Sequence, residues 1–412
     1  MSVLSLEEVY VDSHLCAIDD IDEDGSIEIA RALVFTVELY KGDKKLWANR
    51  ISIKKAPQEL PKTTEERFVP ETTIGEVLTK VLFADINGDN LKEVVVGRAD
   101  GILVALNLDG KKIWARDLGY FVSNVVAKDV NNDNKEELAV ITGDGKLFLL
   151  DGSGKKIWVK TYPREYAAND VLIMDVNGDG KDEVLIGMKD GAVLGFDLKG
   201  KKVYENRLLN AEVLFLRATD FDLDGKDELL IATDNGHIIV FKPEGDILGS
   251  KKLESKIISL SILDINNDKY PEIMASDIDG AVLIFNLKET IGEKSAGREI
   301  FYDIDEDGVR EKIIRYWKRV SILKGGKEIW GHEYKRWVSA IDVGDINNDG
   351  KSEVVVAGLD KFVRIYSLEK GLLASIKTTR APLSLLSSDF DNDGKVELIV
   401  FGEREVRIFR GM

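Results

Sequence analysis

Nine short acidic loops recur along the 412-residue chain, each with oxygen-bearing side chains at its first, third, fifth and ninth positions. They are Asp20, Asp22, Asp24, Glu28; Asp85, Asn87, Asp89, Glu93; Asp129, Asn131, Asp133, Glu137; Asp175, Asn177, Asp179, Glu183; and Asp220, Asp222, Asp224, Glu228. The other four are Asp264, Asn266, Asp268, Glu272; Asp303, Asp305, Asp307, Glu311; Asp345, Asn347, Asp349, Glu353; and Asp389, Asp391, Asp393, Glu397. That spacing lets one tight turn aim several oxygens at a common point, and the carbonyl of the seventh position can add another. A hard cation takes about six to eight such oxygens, so Ca2+ is the expected cofactor, with Mg2+ as the alternative.

The sixth position of a loop this tight calls for a left-handed backbone, where glycine carries no penalty. Six loops have Gly there; the loops at Asp85, Asp129 and Asp264 have Asn90, Asn134 and Lys269 instead. Asn tolerates that conformation, whereas Lys strains it and brings a positive charge, which makes the Asp264 loop the weakest candidate. Three or four carboxylates in one loop repel one another unless neutralised. The competing use of the same residues is turn capping, in which Asp and Asn accept backbone N–H groups. An EF-hand is excluded, since it needs a glutamate at the twelfth position and flanking helices, while these loops run into strand-like segments such as Glu353-Val354-Val355-Val356.

From Asp85 onward the loops recur with a period of about 40 to 50 residues, which marks a repeat architecture. Only the step from Asp20 to Asp85 is clearly longer. One repeat shows what each contains. Residues 125–129 read as a short apolar strand, Glu137–Thr142 as a second, residues 146–151 as a third and residues 156–160 as a fourth, with Gly145 and Gly154 in the turns. Four short antiparallel strands per unit describe a propeller blade, so the expected fold is all-β. Nine loops predict nine blades, with eight as the alternative count. The expected bounds are about 12–50, 78–119, 120–165, 166–209, 210–254, 255–296, 297–335, 336–379 and 380–412, in one domain. After Asp389 the chain has room for three strands only, so residues 1–11 are expected to supply the fourth and close the ring. Residues 51–77 hold three of the seven prolines and read as an inserted loop. Trp47, Trp114, Trp158 and Trp330 fall at nearly the same distance after Asp20, Asp85, Asp129 and Asp303, and read as packing between blades.

The loop followed by Glu and an apolar strand, as in the segments beginning at Asp175 and Asp345, resembles the FG-GAP repeat of integrin α-type propellers across essentially the whole chain. The resemblance implies Ca2+ held in the hairpin loop between the first two strands of a blade, by the Asp, Asn and Glu residues named above. Integrin repeats end that loop in Asp, whereas this chain uses Glu throughout. The second half of each unit, as in residues 100–114, is similar to the quinoprotein-like propeller repeat.

The net charge of −17 argues against nucleic acid or an anionic membrane as partner. The start of the chain lacks a basic region followed by an apolar core, and the lone Cys16 excludes an internal disulfide; both fit a cytoplasmic protein. A single glutamine, Gln58, among abundant Lys and Glu fits a thermophilic source. His14, His237 and His332 lie in unrelated repeats, and no nucleophile, phosphate cradle or zinc cluster accompanies them. The expected function is therefore a non-catalytic interaction scaffold with structural metal ions; a carbohydrate-binding or polysaccharide-cleaving propeller is the alternative. Its protein-binding surface is expected on the connections between blades, at Tyr120, Phe121, Tyr162, Arg164, Tyr166, Arg207, Tyr334, Arg336, Trp337 and Arg380, because aromatic and Arg side chains anchor interfaces.

Overall fold

Short alternating apolar stretches, separated by Asp-rich or Gly-containing turns, leave this chain little choice but short antiparallel strands. A computed structural model describes residues 6–13, 16–22, 24, 28–32, 36–41, 44–51, 77–207, 210–243, 245–264, 269–279, 281–288, 290–294, 299–378, 380–390, 394–402 and 405–411. Among them lie 36 strands, nine groups of four, and one short helical turn at Arg164–Tyr166. No helix among the described residues is long and apolar enough to cross a membrane. Asn266, Asp268, Asp391 and Asp393, His14 and nearly all of the expected 51–77 insertion lie outside the described residues.

The chain divides into two units, His14–Ala218 and Thr219–Met412 together with Met1–Ser13. In the first unit the sheets run from Cys16–Asp19 to Lys44–Arg50, from Leu78–Ala84 to Lys112–Asp117, from Val122–Lys128 to Lys156–Thr161, and from Ala168–Met174 to Lys202–Asn206. The second strand of a sheet is buried on both sides, as in Glu137–Thr142, while the fourth alternates between half-buried and exposed, as in Lys156–Thr161. Neighbouring sheets are locked by tryptophan. Trp47, Trp114 and Trp158 each donate their indole N–H to a carbonyl in the last hairpin of the following sheet: Leu108 at 2.7 Å, Gly152 at 3.0 Å and Leu198 at 3.0 Å. The rings cover Gly110, Gly154 and Gly200 of those hairpins, where a Cβ would sit 2.9 to 3.2 Å from ring carbon. The expected role of these three tryptophans is the one they have.

In the second unit complete sheets run from Ile257–Leu263 to Thr290–Lys294, from Glu299–Tyr302 to Lys327–Glu333, and from Val338–Gly344 to Gly371–Lys377. The last one joins Pro382–Ser388, Glu397–Gly402 and Glu405–Gly411 to the N-terminal strand Leu6–Ser13, which pairs antiparallel with Glu405–Gly411. The missing fourth strand thus comes from the other end of the chain. Packing in this unit does not follow chain order throughout: Met274, Val282 and Ile284 share a core with Phe390, Ile399, Phe401, Val406 and Ile408 of the last sheet. Deleting residues 6–13 would bare Glu405–Gly411 as a sheet edge. The shortened chain is expected to melt lower and to form higher oligomers; a chain that melts as before and elutes as before would show that the strand clasps nothing.

Candidate acidic-loop cation sites

Each loop is organised by its own carboxylates. The glutamate at the ninth position opens the second strand and is almost wholly buried, and in the eight loops whose second position is described it accepts the backbone N–H of that residue. That bond runs to Glu28 from Ile21 at 3.2 Å, to Glu93 from Ile86 at 3.2 Å, to Glu137 from Val130 at 3.1 Å and to Glu183 from Val176 at 3.2 Å. It recurs from Phe221 to Glu228 at 2.8 Å, Ile304 to Glu311 at 3.0 Å, Ile346 to Glu353 at 3.0 Å and Phe390 to Glu397 at 2.9 Å. The first Asp accepts the N–H of the sixth position, as Asp175 does from Gly180 at 2.8 Å and Asp264 from Lys269 at 2.9 Å. The fifth-position Asp accepts from the seventh, as Asp224 does from Lys226 at 3.0 Å. Capping is therefore part of the loops' work.

The sixth position is left-handed in every loop where it is described, whether Gly or not: Asn90 at φ 64°, Asn134 at 65° and Lys269 at 76°. Lys269 is strained in the way its side chain predicts.

The third position sorts the loops into two kinds. Where it is Asn, the amide Nδ2 donates to the free oxygen of the buried glutamate: Asn87 to Glu93 at 2.7 Å, Asn131 to Glu137 at 2.8 Å, Asn177 to Glu183 and Asn347 to Glu353 at 3.1 Å. Where it is Asp, a basic residue at the end of the third strand takes that part. The Lys41 ammonium lies 3.0 Å from Asp22, 2.5 Å from Asp24 and 3.2 Å from Glu28. Lys324 lies 2.6 Å from Asp305, 2.5 Å from Asp307 and 3.3 Å from Glu311. Arg410 stands 3.7 Å from Glu397. Both lysines are held above their ordinary pKa by these hydrogen-bonded carboxylates.

The signal for this pairing lies in the sequence. Lys41, Lys242, Lys324 and Arg410 fall at nearly the same distance after Asp20, Asp220, Asp303 and Asp389, the first residues of the four loops with Asp at the third position. The five Asn loops have Leu106-Asn107, Leu150-Asp151, Phe196-Asp197, Phe285-Asn286 and Tyr366-Ser367 at the corresponding place.

The Asp220 loop is the exception within its kind. Oxygens of Asp220, Asp222 and Glu228 lie within 4.8 Å of one another, as do those of Asp20, Asp22, Glu28 and of Asp303, Asp305, Glu311. Lys242, however, reaches only Asp222, at 2.6 Å, and Asp224, at 3.5 Å. Oδ1 of Asp222 and Oε1 of Glu228 stay buried without a hydrogen-bond partner; Oε1 of Glu28 and of Glu311 also lacks one, but each has a lysine ammonium within 3.3 Å, which Glu228 does not. Burial, reinforced by the charges of Asp222 and Asp224, pushes Glu228 up to about 7. Two orphaned inward oxygens in an all-oxygen donor set fit a hard cation. The Asp20 and Asp303 loops fit one poorly, because an ammonium already occupies the centre.

The expected interaction residues divide as well. Tyr120, Phe121, Tyr166 and Trp337 are exposed, with Arg164 over the Tyr120 ring at 4.6 Å and Tyr162 half-buried. Arg207 is engaged by Glu205 and Asp190, at 2.5 and 3.0 Å. Arg336 is exposed and Arg380 half-buried, its carbonyl accepting from Thr378. Tyr334 is a correction: it is 8% exposed, packed between His332 and Tyr366, because its neighbour Val338 and the Tyr366 ring form an apolar pocket there. It belongs to the core.

The FG-GAP-like repeat matches at residues 129–186 and 345–400. No curated protein sequence matches the chain. Among solved structures the chain is similar to the Saccharomyces cerevisiae Sqt1 (11% identity over 100% of this chain and 99% of that one, TM-score 0.53). It is also similar to the Dos1 propeller (13%, 98% and 95%, 0.52) and to the C-terminal WD40 domain of Sif2 (15%, 99% and 99%, 0.51). At such identities the likeness establishes a β-propeller fold and nothing finer.

Proposed function

We propose that the chain is a non-catalytic β-propeller scaffold for protein–protein interaction, its sheets stapled by acidic loops of which the Asp220 loop holds a divalent cation. What supports the scaffold reading is the division of labour between the two ends of the sheets. At the loop end the carboxylates turn inward onto their own backbone, while the hairpin end carries exposed aromatics such as Tyr120, Tyr166 and Trp337. Recovering cross-linked neighbours from the native host tests the role; a protein that reproducibly captures nothing there is no scaffold.

The buried, unpartnered oxygens of Asp222 and Glu228 support the ion. Asp220, Asp222, Asp224 and Glu228 would hold it, and it would supply positive charge where Lys242 falls short. An all-oxygen set favours Ca2+ on a flexible loop, and Mg2+ if near-octahedral geometry can be met. Chelator-stripped protein is expected to gain thermal stability on addition of millimolar Ca2+. That gain should shrink in Glu228→Gln, which keeps the size and removes the charge, and persist in Glu28→Gln. An equal gain in both variants, or none in the wild type, would sink the assignment.

A further inference from the structure

The Trp317–Trp337 pair stands out on this acidic chain because its surroundings are basic. Trp317 is 71% exposed and Trp337 50%, their rings meeting edge to face at 5.1 Å. Two clefts flank Trp337. One, of about 210 Å3, is lined by Arg315, Tyr316, Trp317, Trp337 and Val338 and is largely apolar. The other, of about 370 Å3, is lined by Lys318, Lys335, Arg336, Trp337 and Leu359.

The side chains of Lys318, Lys335 and Arg336 have no ion-pair or hydrogen-bond partner among the described residues. Two acids lie close in sequence: Asp360 is taken by Arg364 at 2.5 Å, and Glu333 sits at the strand end opposite Arg319. Exposed aromatic surface ringed by unpaired cations is costly to leave in water and suited to a complementary partner.

The backbone adds an independent mark. Tyr316 pairs with Arg319, so Trp317 and Lys318 form a two-residue hairpin, and Trp317 sits at φ 32°. Glycine suits that first central position, whereas four other sheets make a longer turn here that ends on Gly101, Gly145, Gly191 or Gly236 with positive φ. A tryptophan held there against its backbone preference is an outlier of the kind found at binding surfaces.

We propose that the two clefts beside Trp337 bind an acidic protein segment, an apolar side chain entering the cleft that Trp317, Trp337 and Val338 line and neighbouring carboxylates meeting Lys318, Lys335 and Arg336. The occupant follows from charge complementarity: three unpaired cations on a chain of net charge −17 select acid, and the aromatic cleft selects an adjacent apolar group. This rests on the scaffold reading and names the surface and the partner's chemistry.

The probe is an acetylated hexapeptide with one Phe among glutamates, titrated into the full chain with tryptophan fluorescence as the readout. Saturable binding is expected, weakened by salt, with affinity lower by about tenfold or more for the lysine counterpart and for the Phe→Ala version. Trp337→Ala and the Lys335→Glu/Arg336→Glu pair should each lose at least about tenfold. Trp317→Gly relieves the backbone, so it should fold with an undiminished melting temperature and still lose binding. Equal binding of the lysine peptide, or unchanged binding by the charge-reversed pair, overturns the proposal. So does a surface that instead takes polygalacturonate or anionic vesicles, or that drives self-association abolished by Trp337→Ala. Host cross-linking separates the two readings: a partner captured equally by wild type and charge-reversed protein leaves the scaffold standing and removes this surface from it.

Discussion

In the presence of chelator, the melting temperature is expected to fall as pH rises from about 4.5 to about 7 and to level off above that. Glu93, Glu137, Glu183, Glu228 and Glu353 are each pushed up to about 7, chiefly by burial and further by the aspartates of their own loops. A carboxyl whose folded-state pKa is raised stabilises the fold fully below its unfolded pKa, near 4.5. That contribution is lost as pH climbs through the folded value. Glu136, raised by burial in the same sense, adds to the slope. Asp144, Asp151 and Asp349 are shifted the other way, so their contribution is lost only below about pH 4, outside this window. After discounting for nearby water, each of the five glutamates contributes on the order of 1 kcal/mol, so their sum is a large fraction of a typical folding free energy. Added Ca2+ should lift the alkaline end of the curve, since a cation does there what a proton does in acid. Melting curves across this range, with and without chelator, measure both effects. A melting temperature that rises steadily through it would refute the glutamate account.

How much of this could be seen in the chain alone follows from the kind of signal each feature leaves. Strand content was plain because nine repeats average out local noise, and the bounds of Glu137–Thr142 match those expected from sequence. The strand before it begins at Val122, ahead of the Val125 that its apolar pattern suggests, because a register shift between Val122 and Asn124 interrupts the alternation. The loop glutamates were legible as a set, but their role was not. Position in a motif does not reveal whether a carboxylate faces a cation or its own backbone. Lys41 and Lys324 escaped notice because they stand on another strand, well downstream of the loops they serve, and become visible only when repeats are compared position by position. Tyr334 looked like a surface residue because its sequence neighbours, Lys335 and Arg336, are exposed; only packing against Tyr366 removes it. The shared core of Met274 with Phe401 leaves no local trace at all, since any apolar strand could face any other.

The Asp303 loop should be convertible from one kind to the other by two substitutions. Lys324→Met alone is expected to be among the most damaging single changes at any of the loops. It leaves Glu311, wholly buried, together with Asp305 and Asp307, and takes away the ammonium that touches all three. Removing one partner of a buried charged group costs more than the pair contributed, because the remaining charge stays desolvated. The variant should melt well below wild type at neutral pH, and Ca2+ should restore it more than it helps the parent, since the centre is now vacant. Asp305→Asn in the same chain should then recover most of the loss without metal. The new amide can donate to Glu311 as Asn177 donates to Glu183 at 3.1 Å, and one repelling carboxylate has gone. The two changes therefore couple: the double variant should be more stable than Lys324→Met, although Asp305→Asn in the parent gains little. A thermal double-mutant cycle, run with chelator and again with Ca2+, reads this coupling directly. Additive losses, or a Lys324→Met protein that melts like its parent, would mean that the lysine merely lies on the loop and that third-position Asp and third-strand Lys coincide by chance.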